Sequence, residues 1–254
     1  MLLVIDIGNT HTVLGLYDGQ ALIRHFRVAS DRERTEDELH VTLVNLIRLA
    51  GVEPKVVTAS ILASVVPALT EVFVRAVRLA FGLETLVVGP GIKTGMPILY
   101  ESPKEVGADR VVNSIAAYER VHGGVIVVDF GTATTFDCVS NRGEYLGGVI
   151  APGIMISAEA LFSRAAKLPR TEIVKPPRVL GRNTVHSMQS GIIYGYVSLV
   201  DGLLDLLTKE MGYPCATLAT GGLATLIASE SSTIDEVVES LTLEGLRILY
   251  ERNM

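Results

Sequence analysis

Apolar residues fall in short unbroken runs that stop abruptly on a carboxylate: Leu2-Leu3-Val4-Ile5 before Asp6, and Val125-Ile126-Val127-Val128 before Asp129. Runs of this length bounded by turn residues predict buried strands. Each is followed by a glycine, a cluster of hydroxyls or amides and a second apolar stretch. A turn then closes each unit, Tyr17-Asp18-Gly19-Gln20 in one and Ser140-Asn141-Arg142-Gly143 in the other, so both read as hairpins. Elsewhere the spacing is helical. Thr35-x-x-Glu38 is a capping box ahead of Leu39, Leu43, Leu46, Ile47 and Ala50, which share one helical face. Short strands are predicted over 56–63 and 84–88 with a helix over 67–81 between them, and a further helix from near Ala108 through Tyr118. From Thr184 to Met211 two adjacent apolar stripes, one through Val185, Met188 and Ile192 and one through Ile193, Val197 and Val200, predict a helix buried on more than one side. Its Gly191 and Gly195 would admit another helix closely. That helix belongs to the neighbouring domain or to a second subunit, and the frequency of twofold dimers favours the subunit.

The two hairpins repeat a motif. Aligned on the carboxylate, Asp6 falls on Asp129, Gly8 on Gly131, Asn9 on Thr132 and Thr12 on Thr135. The expected organisation is two α/β domains of similar plan, residues 1–121 and 122–254, with a hinge near His122-Gly123-Gly124. Any two hairpins can share Gly and Thr, so coincidence is one reading. The other starts from cost: a carboxylate at the end of a buried strand is unfavourable unless paired, and here it occurs twice in register. Asp-x-Gly followed by hydroxyls and backbone N–H groups offers donors to phosphate, while the carboxylate holds an accompanying metal. Phosphate binding is the preferred reading.

Composition narrows the class. Of 254 residues 48% are hydrophobic and 20% charged, which excludes disordered and low-complexity chains. A formal charge of −6 argues against nucleic acid or an anionic membrane as the main partner. The two cysteines, Cys138 and Cys215, have neither metal-ligand nor disulfide-scaffold spacing, which fits a reducing cytosol. The opening residues reach Asp6 without a basic segment and do not read as a signal peptide. The apolar stretches 183–200 and 211–229 are interrupted by Gly, Pro, Asn or Gln, so no membrane span is expected. A soluble cytoplasmic protein is the expectation.

Three further segments could carry chemistry. Gly107-Ala108-Asp109-Arg110 sets a carboxylate and a guanidinium at a helix start, where exposed N–H groups favour anions. Asp109 is either an ordinary cap or the carboxylate that accepts a proton from a phosphate-acceptor hydroxyl; the turn-rich loop before it, from Gly89 to Tyr100, favours the second role. Thr220-Gly221-Gly222 is either a tight strand-to-helix turn or a place where a nucleotide lies against bare backbone. Walker A and GxGxxG patterns are absent, as are Ser-His-Asp and nucleophile-elbow arrangements, and the five histidines have no ligand spacing.

With these motifs in view, the sequence resembles the type III pantothenate kinases, within the superfamily of acetate and sugar kinases, heat-shock ATPases and actin. The resemblance is carried by Asp6-Ile7-Gly8-Asn9-Thr10, Gly107-Ala108-Asp109-Arg110, Asp129-Phe130-Gly131-Thr132-Ala133-Thr134-Thr135, Gly147-Gly148-x-Ile150-x-Pro152-Gly153, Thr220-Gly221-Gly222 and Leu241-Thr242-Leu243-Glu244-Gly245-Leu246. It implies two duplicated actin-like (ribonuclease H-like) α/β domains with a nucleotide cleft between them. The implied activity is transfer of the ATP γ-phosphoryl group to pantothenate, the first step towards coenzyme A. By resemblance Asp109 is the catalytic base. The resemblance also implies that the loop Asp6, Gly8, Asn9, Thr10, His11, Thr12 and Val13 binds phosphates, with Asp6 serving Mg2+ directly or through water. Asp129 takes a monovalent cation, K+ or NH4+, and Thr132, Gly221 and Gly222 contact ATP. Tyr100, Gly107, Ala108, Asp109 and Arg110 line the pantothenate pocket, and Thr184 reaches substrate across a homodimer interface. His11 departs from the Asn expected in many relatives. The rival readings are a sugar-type kinase of the same superfamily, a nucleotide-switched sensor, and a transcription-associated protein reusing the fold.

Overall fold

The strand that carries each carboxylate at its penultimate position is the central strand of its own five-stranded sheet. The computed structural model describes residues 1–165 and 167–254. In the first sheet, β1 (Leu2–Ile7), β2 (His11–Asp18) and β3 (Ala21–Ala29) run antiparallel in succession, and β4 (Ala59–Ser64) and β5 (Leu86–Val87) add in parallel on the other side. Side chains alternate across a strand, so Leu3, Ile5 and Ile7 of β1 point to one face. There they join Leu39, Leu43 and Ile47 of α1 (Glu36–Leu49) and Leu69, Phe73 and Val77 of α2 (Pro67–Phe81) in one buried cluster. Asp6 therefore belongs to the opposite face, with Val4. The capping box of α1 forms as expected. The next helix, α3 (Ala108–Val121), begins where the sequence places it.

The second sheet repeats the first. Its central strand β6 (Val125–Phe130) pairs antiparallel with β7 (Ala133–Val139), which pairs antiparallel with β8 (Tyr145–Pro152). On the other side β9 (Ala216–Gly221) and then β10 (Glu236–Val237) add in parallel, giving the same strand order as the first sheet. Ile126, Val128 and Phe130 face a core made with α4 (Ile154–Arg164), α5 (Thr184–Met211) and α6 (Ala224–Ala228). This is the duplicated actin-like α/β architecture that the resemblance implied.

By length and composition α5 could cross a membrane. In the fold one face of this helix packs on the second sheet, with Met188, Ile193, Val200 and Leu204 buried while Val185 and Leu206 are exposed, and Asp201 accepts hydrogen bonds from the Ser231 and Thr233 hydroxyls and the Ser232 N–H. These bonds hold the Asp201 carboxyl below its usual range against the partial burial that would raise it.

A last helix, α7 (Leu241–Arg252), returns to the first sheet, so the chain forms two units that are not simply its halves. The first comprises residues 1–96, 101–116 and 241–254, and the second 97–100 and 117–240. These units differ from the division at 121/122 in where they assign the segments 97–100, 117–121 and 241–254. Two strand predictions shift as well. Pro54–Val56 forms a tight 3-10 turn, so β4 starts only at Ala59, and the predicted strand over 84–88 reduces to Leu86–Val87.

Candidate active site

In the first unit β1 and β2 are joined by Gly8, Asn9 and Thr10, with the Gly8 N–H donating to the His11 carbonyl at 3.1 Å. An ideal Cβ on Gly8 would lie 3.0 Å from that same oxygen, so glycine allows the turn to close. The Ser30 N–H donates to the Thr10 carbonyl at 3.0 Å, and the Ser30 hydroxyl lies 2.9 Å from the Thr12 hydroxyl. Ser30, just past β3, is a support that the sequence reading missed; a lone serine after a strand gives no signal of it. Asp6 is half-buried at the penultimate position of β1, while Asn9, Thr10 and His11 are exposed and Thr12 is buried. The loop thus offers exposed polar groups beside a carboxylate.

The second corner has the same plan with a shorter turn. Only Gly131 and Thr132 separate β6 from β7, and the Gly131 N–H donates to the Ala133 carbonyl at 3.0 Å. This corrects the repeat alignment. Asp6 pairs with Val13 and Ile7 with Thr12, whereas Asp129 pairs with Thr135 and Phe130 with Thr134. Thr134, not Thr135, is the counterpart of Thr12, because a one-residue shorter turn moves every later partner by one. Both Thr12 and Thr134 are fully buried.

Around Asp129 the structure gathers residues that are distant in sequence. Thr220 on β9 pairs with it, and an ideal Cβ on Gly221 would lie 2.6 Å from Asp129 Oδ1. Gly221 also has φ +94°, which an L side chain rarely adopts. The predicted glycine turn and the predicted cation carboxylate are therefore one local structure, with Gly222 exposed beside them. Gly153, which precedes α4, packs equally tightly on Thr132: an ideal Cβ there would lie 2.0 Å from the Thr132 carbonyl oxygen. The first turn of α4, which no side chain caps, thus starts against the predicted phosphate residue, where helix N–H groups favour an anion. The Pro152-Gly153 pair marks this helix start in the sequence, although no helix was read there.

Asp109 is the second residue of α3. The Val111 N–H donates to the Gly107 carbonyl at 3.2 Å, and the Arg110 N–H donates to Asp109 Oδ1 at 2.9 Å. An ideal Cβ on Gly107 would lie 2.5 Å from that Oδ1, so the carboxylate folds over a position that only glycine leaves open. Burial pushes the Asp109 carboxyl above its usual range, and the Arg110 N–H and guanidinium offset this only in part. A carboxylate raised in this way is a better proton acceptor. The helix is anchored from behind: an ideal Cβ on Gly245 of α7 would lie 2.2 Å from the Val112 carbonyl, and the Thr242 hydroxyl donates to Asn113 Oδ1 at 2.7 Å.

Tyr100 belongs to the second unit, its ring 6.3 Å from that of Tyr145. Thr184 opens α5 beside a cavity of about 490 Å³ whose lining includes Ser157, Met188, Gly191 and Tyr196. No cluster of three or more His, Cys, Asp or Glu side chains that could hold a metal ion gathers among the described residues. The donors on offer at the corners are carboxylate, hydroxyl and carbonyl oxygens, the set that suits Mg2+ and K+ and not zinc. Phosphate oxygens or water would have to complete such a shell.

The family model for type III pantothenate kinases matches residues 2–206. The type III pantothenate kinase of Myxococcus xanthus is 56% identical over 253 residues, covering 100% of this chain and 99% of its own. That of Geotalea daltonii is 58% identical with the same coverage. Among solved structures, a conserved Baf family protein from Campylobacter jejuni superposes with a TM-score of 0.61 over 99% of this chain and 98% of its own, at 19% identity, a likeness of fold alone.

Proposed function

Because the chain belongs to the type III pantothenate kinase family, we propose that it transfers the γ-phosphoryl group of ATP to the terminal hydroxyl of pantothenate, the first step of coenzyme A biosynthesis. The observation that carries this reading is the full-length match to kinases of that name, in a chain whose Asp109 is held at a helix start in a raised-pKa state.

In this reading the acceptor oxygen of pantothenate attacks the γ-phosphorus, the bond to the β,γ-bridging oxygen breaks, and ADP leaves. The acceptor's proton passes to the Asp109 carboxylate. Phosphoryl transfer of this kind depends on positioning and charge stabilisation, so proton acceptance comes late and a carboxylate suffices. Arg110, Gly107, Ala108 and Tyr100 are assigned to the pantothenate pocket. The Asp6–Val13 loop, Thr132, Gly221 and Gly222 are assigned to ATP, with backbone N–H groups and hydroxyls as donors. Asp6 would hold Mg2+ and Asp129 a monovalent cation, K+ or NH4+. Bound cations supply charge neutralisation to a triphosphate that would otherwise meet bare carboxylates. A homodimer is proposed from the exposed small residues Gly191 and Gly195 on α5, with Thr184 contributing to the substrate site of the second copy.

The test is ADP release by the purified protein with ATP, pantothenate, Mg2+ and K+, each omitted in turn. Release that requires all four supports the reading. Release that responds to glucose or N-acetylglucosamine and not to pantothenate overturns it in favour of a sugar-type kinase.

A further inference from the structure

A carboxylate inside a sheet is costly unless hydrogen-bonded, and Asp137 of β7 is fully buried. The Tyr145 hydroxyl donates to its Oδ1 at 2.8 Å, and the Thr135 hydroxyl donates to its Oδ2 at 3.2 Å. Tyr145 is itself fully buried at the start of β8. The β7–β8 register shifts between Cys138 and Val139, where Gly147 pairs with Cys138 and Tyr145 with Val139, so Leu146 is an extra residue on β8. Gly147 takes φ +130° there. Such a bulge re-aims the residues beside it, and here the residue beside it is Tyr145.

The backbone of Tyr145 does a second job. Its N–H donates to the Pro97 carbonyl at 2.9 Å, and its carbonyl accepts from the Leu99 N–H at 2.8 Å, which pins the segment 97–100 to the end of β8. The Tyr100 ring then lies against the Tyr145 ring, centroids 6.3 Å apart and planes at 57°, and within 3.6 Å of where a Cβ on Gly147 would sit. The side chain of Tyr145 is thus fixed by a buried carboxyl group, its main chain holds the Tyr100 segment, and its ring supports the Tyr100 ring.

We propose that Tyr145, fixed by Asp137, is a positioning residue for pantothenate, acting through Tyr100. This rests on the assignment of Tyr100 to the pantothenate pocket. Misplacing a substrate-contacting group by a fraction of an ångström weakens binding of that substrate alone, so the effect is selective between the two substrates.

The experiment is steady-state kinetics of Tyr145→Phe, which keeps the ring and removes the hydroxyl, assayed well below its melting temperature. The expected result is a rise of about tenfold in KM for pantothenate with KM for ATP unchanged, a selectivity that follows from positioning and not from lost stability. Should Tyr145→Phe fail to fold because Asp137 loses its partner, Asp137→Leu/Tyr145→Phe removes both ends of the bond and the buried carboxyl group together, and the same rise is expected. Tyr100→Ala is the control and should raise KM for pantothenate at least as far. An unchanged KM for pantothenate in the folded Tyr145 variant, with Tyr100→Ala impaired, overturns this inference alone. An unchanged value in Tyr100→Ala overturns the pocket assignment and the inference with it.

Discussion

Asp129 Oδ1 occupies the space that a β-carbon on Gly221 would need, 2.6 Å from its ideal position. Two motifs lying far apart in the chain therefore depend on each other: the carboxylate holds its place because the β9 turn has no side chain. Gly221→Ala combines this collision with a backbone at φ +94°. It is expected to cost about 1–3 kcal/mol in thermal or denaturant unfolding, and to raise the K+ concentration needed for half-maximal activity as the carboxylate is displaced. An alanine variant with wild-type stability and K+ dependence would show that the carboxylate does not need this space.

Gly107 and Asp109 are related in the same way at the start of α3. Gly107→Ala places a methyl 2.5 Å from the present Asp109 Oδ1, so the carboxylate must rotate away. Because φ at Gly107 is not in the left-handed region, the backbone tolerates the change, and the loss should fall on turnover more than on stability. Turnover is expected to drop by about 10²-fold, the scale of a misplaced general base, with the melting temperature little altered. Kinetics and calorimetry on one preparation check this.

The raised pKa of Asp109 fixes the sign of a stability effect. Burial makes the folded-state pKa higher than the unfolded one, so the native protein is relatively favoured while the group is protonated, and that advantage is lost as pH rises through the folded pKa. Asp109→Asn removes the titration. The variant should therefore melt at or above the wild-type temperature at neutral pH, with the difference closing as pH falls below the unfolded carboxyl pKa. Melting curves across pH 3 to 8, a window set by the usual carboxyl range of about 4, test it; a variant that melts lower at neutral pH contradicts it.

Asp201 bears the opposite shift. Hydrogen bonds from Ser231, Ser232 and Thr233 outweigh its partial burial and lower its pKa, so its contribution to stability is present above the unfolded pKa and is lost as pH falls through the folded one. Asp201→Asn is expected to lower the melting temperature at neutral pH and to leave both KM values unchanged. The same melting and kinetic measurements check this.

Much of the plan was legible because it rests on local patterns. The apolar run ending on Asp6, the capping box at Thr35 and Glu38, and the stripe along α5 each follow from strand or helix periodicity. What stayed hidden depends on long-range register. The alignment of Thr12 on Thr135 failed because two turns that look alike in sequence differ by one residue, which only the strand pairing reveals. Gly153 against Thr132, Ser30 against Thr10, and Tyr145 against Asp137 are contacts between residues whose separate sequence contexts are unremarkable for a loop, a strand end and a strand. The return of α7 to the first unit was likewise invisible, since an amphipathic helix does not state which sheet it covers.

The central claim is that Asp109 accepts the proton of pantothenate as phosphate arrives. Its most direct measurement is the formation of phosphopantothenate, followed by mass spectrometry, by the wild-type protein and by Asp109→Asn with saturating ATP, Mg2+ and K+. The account predicts steady product from the wild type and a fall of about 10²–10⁴-fold in the variant, the range for loss of a general base, with its fold intact by melting temperature. Product formation by Asp109→Asn at a rate near that of the wild type would contradict it.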